Sequence, residues 1–322
     1  MNILRTITLS AFLATALSAA GQGKTVLTAE TIDYTGQKIY IDCIQTPAYS
    51  AEFDYAAGET ATYTFAPTRQ VGMLINSRTL VIVAPGDSIH AKVRYTDPKN
   101  VSVTFSGTPS AVAANRLYQK VQALKKSMRY RSQLLSCVTL DEKPAQRIAQ
   151  SRQLLEKTAA FVETAKDKVT PEAAAYVMAE SEGLAYLSFM EYPKMYAELR
   201  KLPIAEQEIG DYWALMDSVE LRADAASLSC PEYVSMLMRY VAYTNEKAAD
   251  GTYTMPQKLE DIYREMAEGL EGAQRDAVLF HLLTNFIRGG KEVERAEPLI
   301  AEYRQKYNIN KDYIAIIDGL ME

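Results

Sequence analysis

Alternation of apolar and polar residues after residue 24 predicts β-strands. Ala61, Tyr63 and Phe65 alternate with threonines, and residues 101–106 repeat the pattern with valine and phenylalanine. A period of two puts alternate side chains on opposite faces of a strand, so each segment has one face to bury. Roughly seven such segments predict a small antiparallel β-sandwich or open barrel over residues 24–107.

The tetrapeptide Ala84-Pro85-Gly86-Asp87 predicts a tight turn between two of these strands. Proline presets φ for the first central position, and glycine accepts the positive φ that a type II turn requires at the second. We therefore assign Pro85, Gly86 and Asp87 a structural role.

The pattern changes to a helical one after Gly107, where apolar residues recur at spacings of three and four. Prolines at positions 109, 171, 231 and 256 are placed where a first helical turn would begin, since the missing N–H costs nothing there. Roughly eight to ten helices with short loops predict an all-α domain of antiparallel helical hairpins over residues 108–322. The predicted fold class is α+β.

The first 20 residues resemble a secretory signal peptide. Arg5 precedes an uncharged apolar stretch, and Ser18 and Ala20 give the small-x-small pattern before a cleavage site. No cysteine lies at the predicted cut near Ala20, so we expect a soluble periplasmic protein and not a lipoprotein. No later apolar run is long enough to predict stable membrane insertion.

Charge argues against a nucleic-acid partner. The formal net charge is −5, and basic residues form no extended run beyond the short cluster around Lys125 and Arg129.

The three cysteines, Cys43, Cys137 and Cys230, leave at least one thiol unpaired within the monomer. Cys43 shares a face with Ile39 and Ile41 and is predicted to be a small buried side chain. A bridge between Cys137 and Cys230 and two separate thiols are both compatible with the sequence.

The sequence contains none of the common catalytic motifs that were searched for. It lacks CxxC, HExxH, GxSxG, P-loop and GxGxxG motifs, so we assign no catalytic residue, cofactor or metal ligand. Of the two histidines, His90 is predicted to face solvent from a strand, and His281 to lie at the edge of a helical core with a hydrogen bond.

Paired carboxylates are the remaining catalytic alternative, because two acids across a cleft can hydrolyse a glycoside. Glu180 and Glu182 cannot form such a pair, since a spacing of two residues separates them by about 200° around a helix.

Tyrosine is unusually frequent, with 21 tyrosines against 8 phenylalanines and 1 tryptophan. An apolar ring with a polar tip suits partly exposed contact surfaces, although helical spacing places much of this stripe in a core. The candidate contact surface, on a concave face of the helical half, comprises Tyr186, Tyr192, Tyr196, Tyr240 and Tyr243.

Three segments together resemble a known family. Residues 80–89 (LVIVAPGDSI), 103–107 (VTFSG) and 115–118 (NRLY) are similar to the amino-terminal region of exported thiol-disulfide oxidoreductases of the TlpA/ResA type from Bacteroidota. The resemblance implies a β domain and a helical segment that accompany a thioredoxin domain. Because the sequence has no CxxC, we expect the accessory part without the thioredoxin domain.

The leading hypothesis is a non-catalytic periplasmic binding or accessory module for a protein, peptide or glycan, associated with a redox partner if the resemblance holds. The alternative is a periplasmic hydrolase that uses paired carboxylates. A third hypothesis makes one unpaired cysteine a redox-responsive thiol.

Overall fold

The computed structural model describes residues 24–56, 58–97, 100–130, 142–249 and 252–322, with only the backbone given for residues 97 and 100. The predicted signal peptide and Cys137 lie outside these residues. Contacts divide the chain into two compact units between Arg116 and Leu117.

The first unit contains two open four-stranded sheets, which agrees with the predicted α+β class. One sheet has the strand order β4-β1-β7-β8 and the other β3-β2-β5-β6. Most pairs are antiparallel, but β1 and β7 are parallel, which the expected antiparallel arrangement did not include. The strands are β1 Thr25–Ile32, β2 Lys38–Cys43, β3 Ala51–Asp54, β4 Thr60–Phe65, β5 Val71–Ile75, β6 Thr79–Val83, β7 Ser88–Asp97 and β8 Asn100–Gly107.

Inward-facing residues of both sheets form one hydrophobic core. Leu27 and Ile89 from the first sheet pack in the same cluster as Ile41 and Met73 from the second. The period-two prediction is confirmed for β7, where Ile89, Ala91 and Val93 are buried and the residues between them are more exposed.

The predicted turn at Pro85 and Gly86 is confirmed. Gly86 has a φ of +83°, and the Asp87 amide donates to the Ala84 carbonyl at 3.1 Å. The Asp87 carboxylate accepts from the Ala84 amide at 2.7 Å, and the Gly86 amide donates to the Thr25 hydroxyl at 3.2 Å. These bonds attach the turn to the start of β1.

Asn115 links the first helix, α1 (Pro109–Ser127), to β6 within this unit. Its Oδ1 accepts from the Ile82 amide at 2.8 Å, and its Nδ2 donates to the Ile82 carbonyl at 2.7 Å. The side chain thus supplies the hydrogen bonds that a neighbouring strand would make. Ala111 and Val112 also pack in the β core, which explains why the compact boundary lies inside α1 and not at Gly107.

The second unit is helical. It contains the rest of α1 and seven further helices within the described residues, in agreement with the predicted number. They are α2 Pro144–Ala165, α3 Pro171–Arg200, α4 Pro231–Ala248, α5 Leu259–Gly269, α6 Gly272–Arg288, α7 Glu297–Lys306 and α8 Lys311–Met321.

Proline begins α1, α3 and α4 as predicted, but not α5. Pro256 precedes α5 by three residues, and Leu259 is the first helical residue. Gly289 caps the end of α6. None of the described helices is long and apolar enough to cross a membrane.

Candidate functional site

A groove of about 430 Å³ lies in the helical unit, between two helices and a loop. Arg152 and Leu155 come from α2, Tyr186 and Phe189 from α3, and the remaining residues from the segment between α3 and α4. This volume is within the range of small-ligand pockets, roughly 300–1,000 Å³. The lining comprises Arg152, Leu155, Tyr186, Phe189, Ile209, Asp211, Ala214, Leu215, Ser218 and Val219.

The aromatic part of the lining follows from helix geometry. Tyr186 and Phe189 are three residues apart on α3, a spacing that places side chains on one face. Their ring centroids are 6.0 Å apart at an interplanar angle of 46°. Tyr186 is half-buried, and desolvation raises the pKa of its hydroxyl, so the ring presents a neutral phenol to the groove.

Hydrogen bonds hold the loop side of the groove in place. Lys201, with a left-handed φ of 56°, ends α3. The buried Gln207 amide donates to the carbonyls of Pro193 at 2.8 Å and Leu202 at 3.1 Å. The Tyr212 hydroxyl donates to the Met190 carbonyl at 2.6 Å. Because both side chains bond back to the α3 region, the lining on the loop keeps a fixed position against the helix.

Two charged side chains of opposite sign lie on the lining. The Arg152 guanidinium carbon lies 6.0 Å from the centroid of the Phe189 ring. Arg152 is exposed and makes no ion pair with any residue that the structure describes. Asp211 accepts from the Trp213 amide at 2.9 Å through one oxygen and so begins the 3₁₀ turn Tyr212–Ala214.

Burial contradicts two members of the predicted tyrosine surface. Tyr186 lines the groove, but Tyr192 and Tyr243 are 3% and 1% exposed, so the prediction that they belong to a contact surface is wrong. Their hydroxyls donate to the carbonyls of Glu142 and Tyr212, each at 2.7 Å. Burial raises the pKa of Tyr192 to about 12. These internal hydrogen bonds let the whole tyrosine side chain enter the core.

Tyr196 and Tyr240, the other two members of that surface, are half-buried and do not line the groove. Tyr196 stacks on Tyr192 with centroids 6.3 Å apart. Helical spacing alone did not distinguish the tyrosine beside the groove from those that pack against it.

Glu180 and Glu182 point to different partners, which agrees with their predicted angular separation. Glu180 is buried and accepts from Lys125 at 2.9 Å, and it also accepts from Gln122 and Tyr118. Glu182 accepts from two nitrogens of Arg222 at 2.6 and 2.8 Å. Both carboxylates are neutralised within the helical unit and neither lines the groove.

The thiols of Cys43 and Cys230 are buried. The Cys230 thiol donates to a Glu232 carboxylate oxygen at 3.2 Å, and burial raises the pKa of this thiol well above its ordinary value. Burial also raises the pKa of Glu232, and the nearby Glu180 adds to the effect. Cys43 is the small buried side chain that was predicted. Cys137 lies outside the described residues, so its bridge to Cys230 stays a prediction.

The histidines match their predicted surroundings. His281 is half-buried, its Nε2 lies 2.9 Å from the Asn285 amide nitrogen, and desolvation lowers its pKa. His90 is partly exposed on β7, 3.1 Å from a Glu30 carboxylate oxygen. Within the described residues, no three His, Cys, Asp or Glu side chains are arranged to hold a metal ion.

Comparison with known proteins does not assign the chain to a family. No protein-family model matches the chain, and no curated protein sequence matches it significantly.

Proposed function

We propose that this chain is an exported, non-catalytic binding module of the periplasm, and that the groove in its helical unit holds an extended segment of a partner polypeptide. The observation that carries the proposal is the groove itself, with two aromatic rings, a mixture of aliphatic and polar side chains, and a loop fixed by buried hydrogen bonds. A preformed concave surface of this kind reduces the ordering cost of binding.

The chemistry of the groove favours binding over hydrolysis. Asp211 is the one carboxylate among its described lining residues, whereas a glycosidase mechanism requires two. Glu180 and Glu182 are held in ion pairs away from the groove. The hydrolase alternative stays a prediction that a second carboxylate at this surface would support.

The lining favours a peptide over a glycan. Leu155, Ile209, Leu215 and Val219 contribute aliphatic surface to the groove. Its polar groups, among them Arg152 and Asp211, suit the N–H and C=O groups of a peptide. An apolar side chain gains free energy in such a groove, about 25 cal/mol for each Å² of apolar surface removed from water.

Selection from a random heptapeptide library displayed on phage tests this function. Ser218→Tyr adds bulk to an exposed position of the lining and should block the groove without removing a core contact. Ala159→Tyr makes a similar change on the exposed face of α2, away from the lining. We expect enriched peptides to bind the unchanged protein and the Ala159 variant, and to lose at least tenfold affinity for the Ser218 variant.

Equal binding to all three proteins would refute the groove as the site, and so would failure to enrich any peptide. Specific binding on a glycan array that Ser218→Tyr abolishes would replace the peptide with a carbohydrate ligand.

The export and redox parts of the proposal have separate tests. We expect the protein in the periplasmic fraction with Gly21 as its first residue, which amino-terminal sequencing checks. We expect no acceleration of insulin disulfide reduction by dithiothreitol, because the described thiols are buried. Turnover in that assay would contradict the non-catalytic assignment.

A further inference from the structure

We propose that the groove recognises the carboxyl-terminal residue of a peptide, with the terminal carboxylate on Arg152, the apolar side chain against Tyr186 and Phe189, and the amide N–H of that residue on Asp211. This inference rests on the proposed peptide-binding function and names the part of the peptide that binds.

Arg152 supplies the selectivity for a carboxylate. It is the one cation on the described lining, and its guanidinium has no carboxylate partner among the described residues. A guanidinium presents N–H groups in a planar fork that matches the two oxygens of a carboxylate. Its position 6.0 Å from the Phe189 ring places the cation beside apolar surface, where a bound carboxylate would be partly shielded from water.

Asp211 limits which anions fit. One of its oxygens accepts from the Trp213 amide, and its second oxygen makes no hydrogen bond with a described residue. A carboxylate on the lining repels a second negative charge, so a doubly charged phosphate group is disfavoured. That second oxygen would accept from the amide N–H of a bound peptide, whose terminal residue carries an N–H and a carboxylate on one α-carbon.

The aromatic pair suits an apolar side chain on that α-carbon. Tyr186 and Phe189 are tilted at 46° to each other, and Leu215 and Val219 add aliphatic surface to the same groove. Aromatic and aliphatic side chains bind such surfaces through area burial and through edge-to-face ring contacts. We therefore expect phenylalanine or leucine at the terminus.

Two matched peptides test the proposal on the full protein. Acetyl-Ala-Ala-Phe with a free carboxyl terminus and the same peptide with a terminal amide differ only in the group that Arg152 would bind. Trp213, the single tryptophan, lies next to the lining residues Asp211 and Ala214 and reports binding by its fluorescence. Calorimetry supplies the dissociation constants.

We expect the acid to bind at least tenfold more tightly than the amide. Arg152→Gln should reduce this ratio to about one, because the acid loses more affinity than the amide. Lys157→Gln removes the same charge from an exposed position on the same helix, outside the lining, and should keep the ratio.

Each outcome separates this inference from the proposed function. Equal binding of acid and amide would overturn the carboxylate assignment and leave a peptide-binding groove. Tighter binding of free phenylalanine than of the peptide acid would overturn the peptide terminus in favour of an amino acid. If neither peptide binds but library peptides do, the terminal-residue inference is wrong. If no peptide of either kind binds, the proposed function fails with it.

Discussion

Asn115 is the position where a single side chain supports both a helix and a sheet edge. The residue is 1% exposed, and its amide group exchanges two hydrogen bonds with the backbone of Ile82. It also donates to the Ala111 carbonyl at 2.9 Å. Asn115→Ala removes these bonds and leaves the amide and carbonyl of Ile82 buried without partners.

The loss of folding free energy in Asn115→Ala follows from those two backbone groups of Ile82. A buried polar group that loses its partner costs about 1–3 kcal/mol, so two groups cost about 2–6 kcal/mol. Alanine recovers roughly 0.5 kcal/mol through its better helix propensity. We therefore expect the free energy of unfolding to fall by about 1.5–5.5 kcal/mol, a large part of the 5–15 kcal/mol that is typical of a domain.

Urea unfolding followed by far-UV circular dichroism measures the loss, and hydrogen exchange at the Ile82 amide localises it. Asn285→Ala is the control, because that side chain is exposed on α6 and, among the described residues, bonds to His281 alone. It should change stability by less than about 0.5 kcal/mol. Asn115→Asp keeps the acceptor but turns an oxygen toward the Ile82 carbonyl, so it should destabilise more at neutral pH than at acidic pH. Unchanged protection of the Ile82 amide in Asn115→Ala would refute the reasoning.

Three further substitutions test other contacts. Gly183→Ala places a Cβ 2.6 Å from backbone atoms of Glu232, so it should destabilise the protein by about 1–3 kcal/mol in urea unfolding. Gly319→Ala on α8 is the control, because its Cβ meets no described atom within 4 Å and the change should be neutral or stabilising. Equal effects would contradict the close approach of α3 and α4. Gly107→Ala combines a φ of +126° with a Cβ that overlaps the Ser88 carbonyl oxygen, so it should lower the thermal midpoint. An unchanged midpoint would count against this geometry. Burial raises the pKa of Glu232, so the folded state loses stability as pH rises from the unfolded pKa of about 4.5 through the folded pKa. Glu232→Gln should therefore stabilise the protein at pH 8 and not at pH 4, whereas Glu172→Gln, at an exposed position, should give no such gain. An effect that does not depend on pH would argue against a buried carboxyl at Glu232.

Local patterns in the β unit were sufficient to predict most of its strands. Alternation decides which face of a strand is buried, and the Pro-Gly pair decides where the chain turns, so both signals lie within a few residues. β3 was not predicted, because its four residues are too short for the pattern to stand out. The parallel pairing of β1 with β7 joins residues that are more than 60 positions apart, and no local pattern encodes it.

The groove could be predicted only in part. Tyr186 was selected because tyrosines follow helical spacing, but the same spacing selected Tyr192 and Tyr243, whose hydroxyls find internal carbonyls. Arg152 and Ser218 were missed, since a single arginine on a polar helix face and a serine in a loop carry no sequence signal. Their role depends on how α2, α3 and the loop meet.

The helix α3 connects these observations, because polar groups are buried along one long segment of it. Ser181 lies 3.1 Å from the Thr158 hydroxyl, and Ser188 lies 3.0 Å from the Tyr130 hydroxyl and 3.1 Å from a nitrogen of Arg147. A buried polar network stabilises one packing arrangement, since any shift would leave its members without partners. Tyr186 and Phe189 extend from this same segment of helix. The lining of the groove is therefore fixed before a ligand arrives, and binding energy does not have to order it.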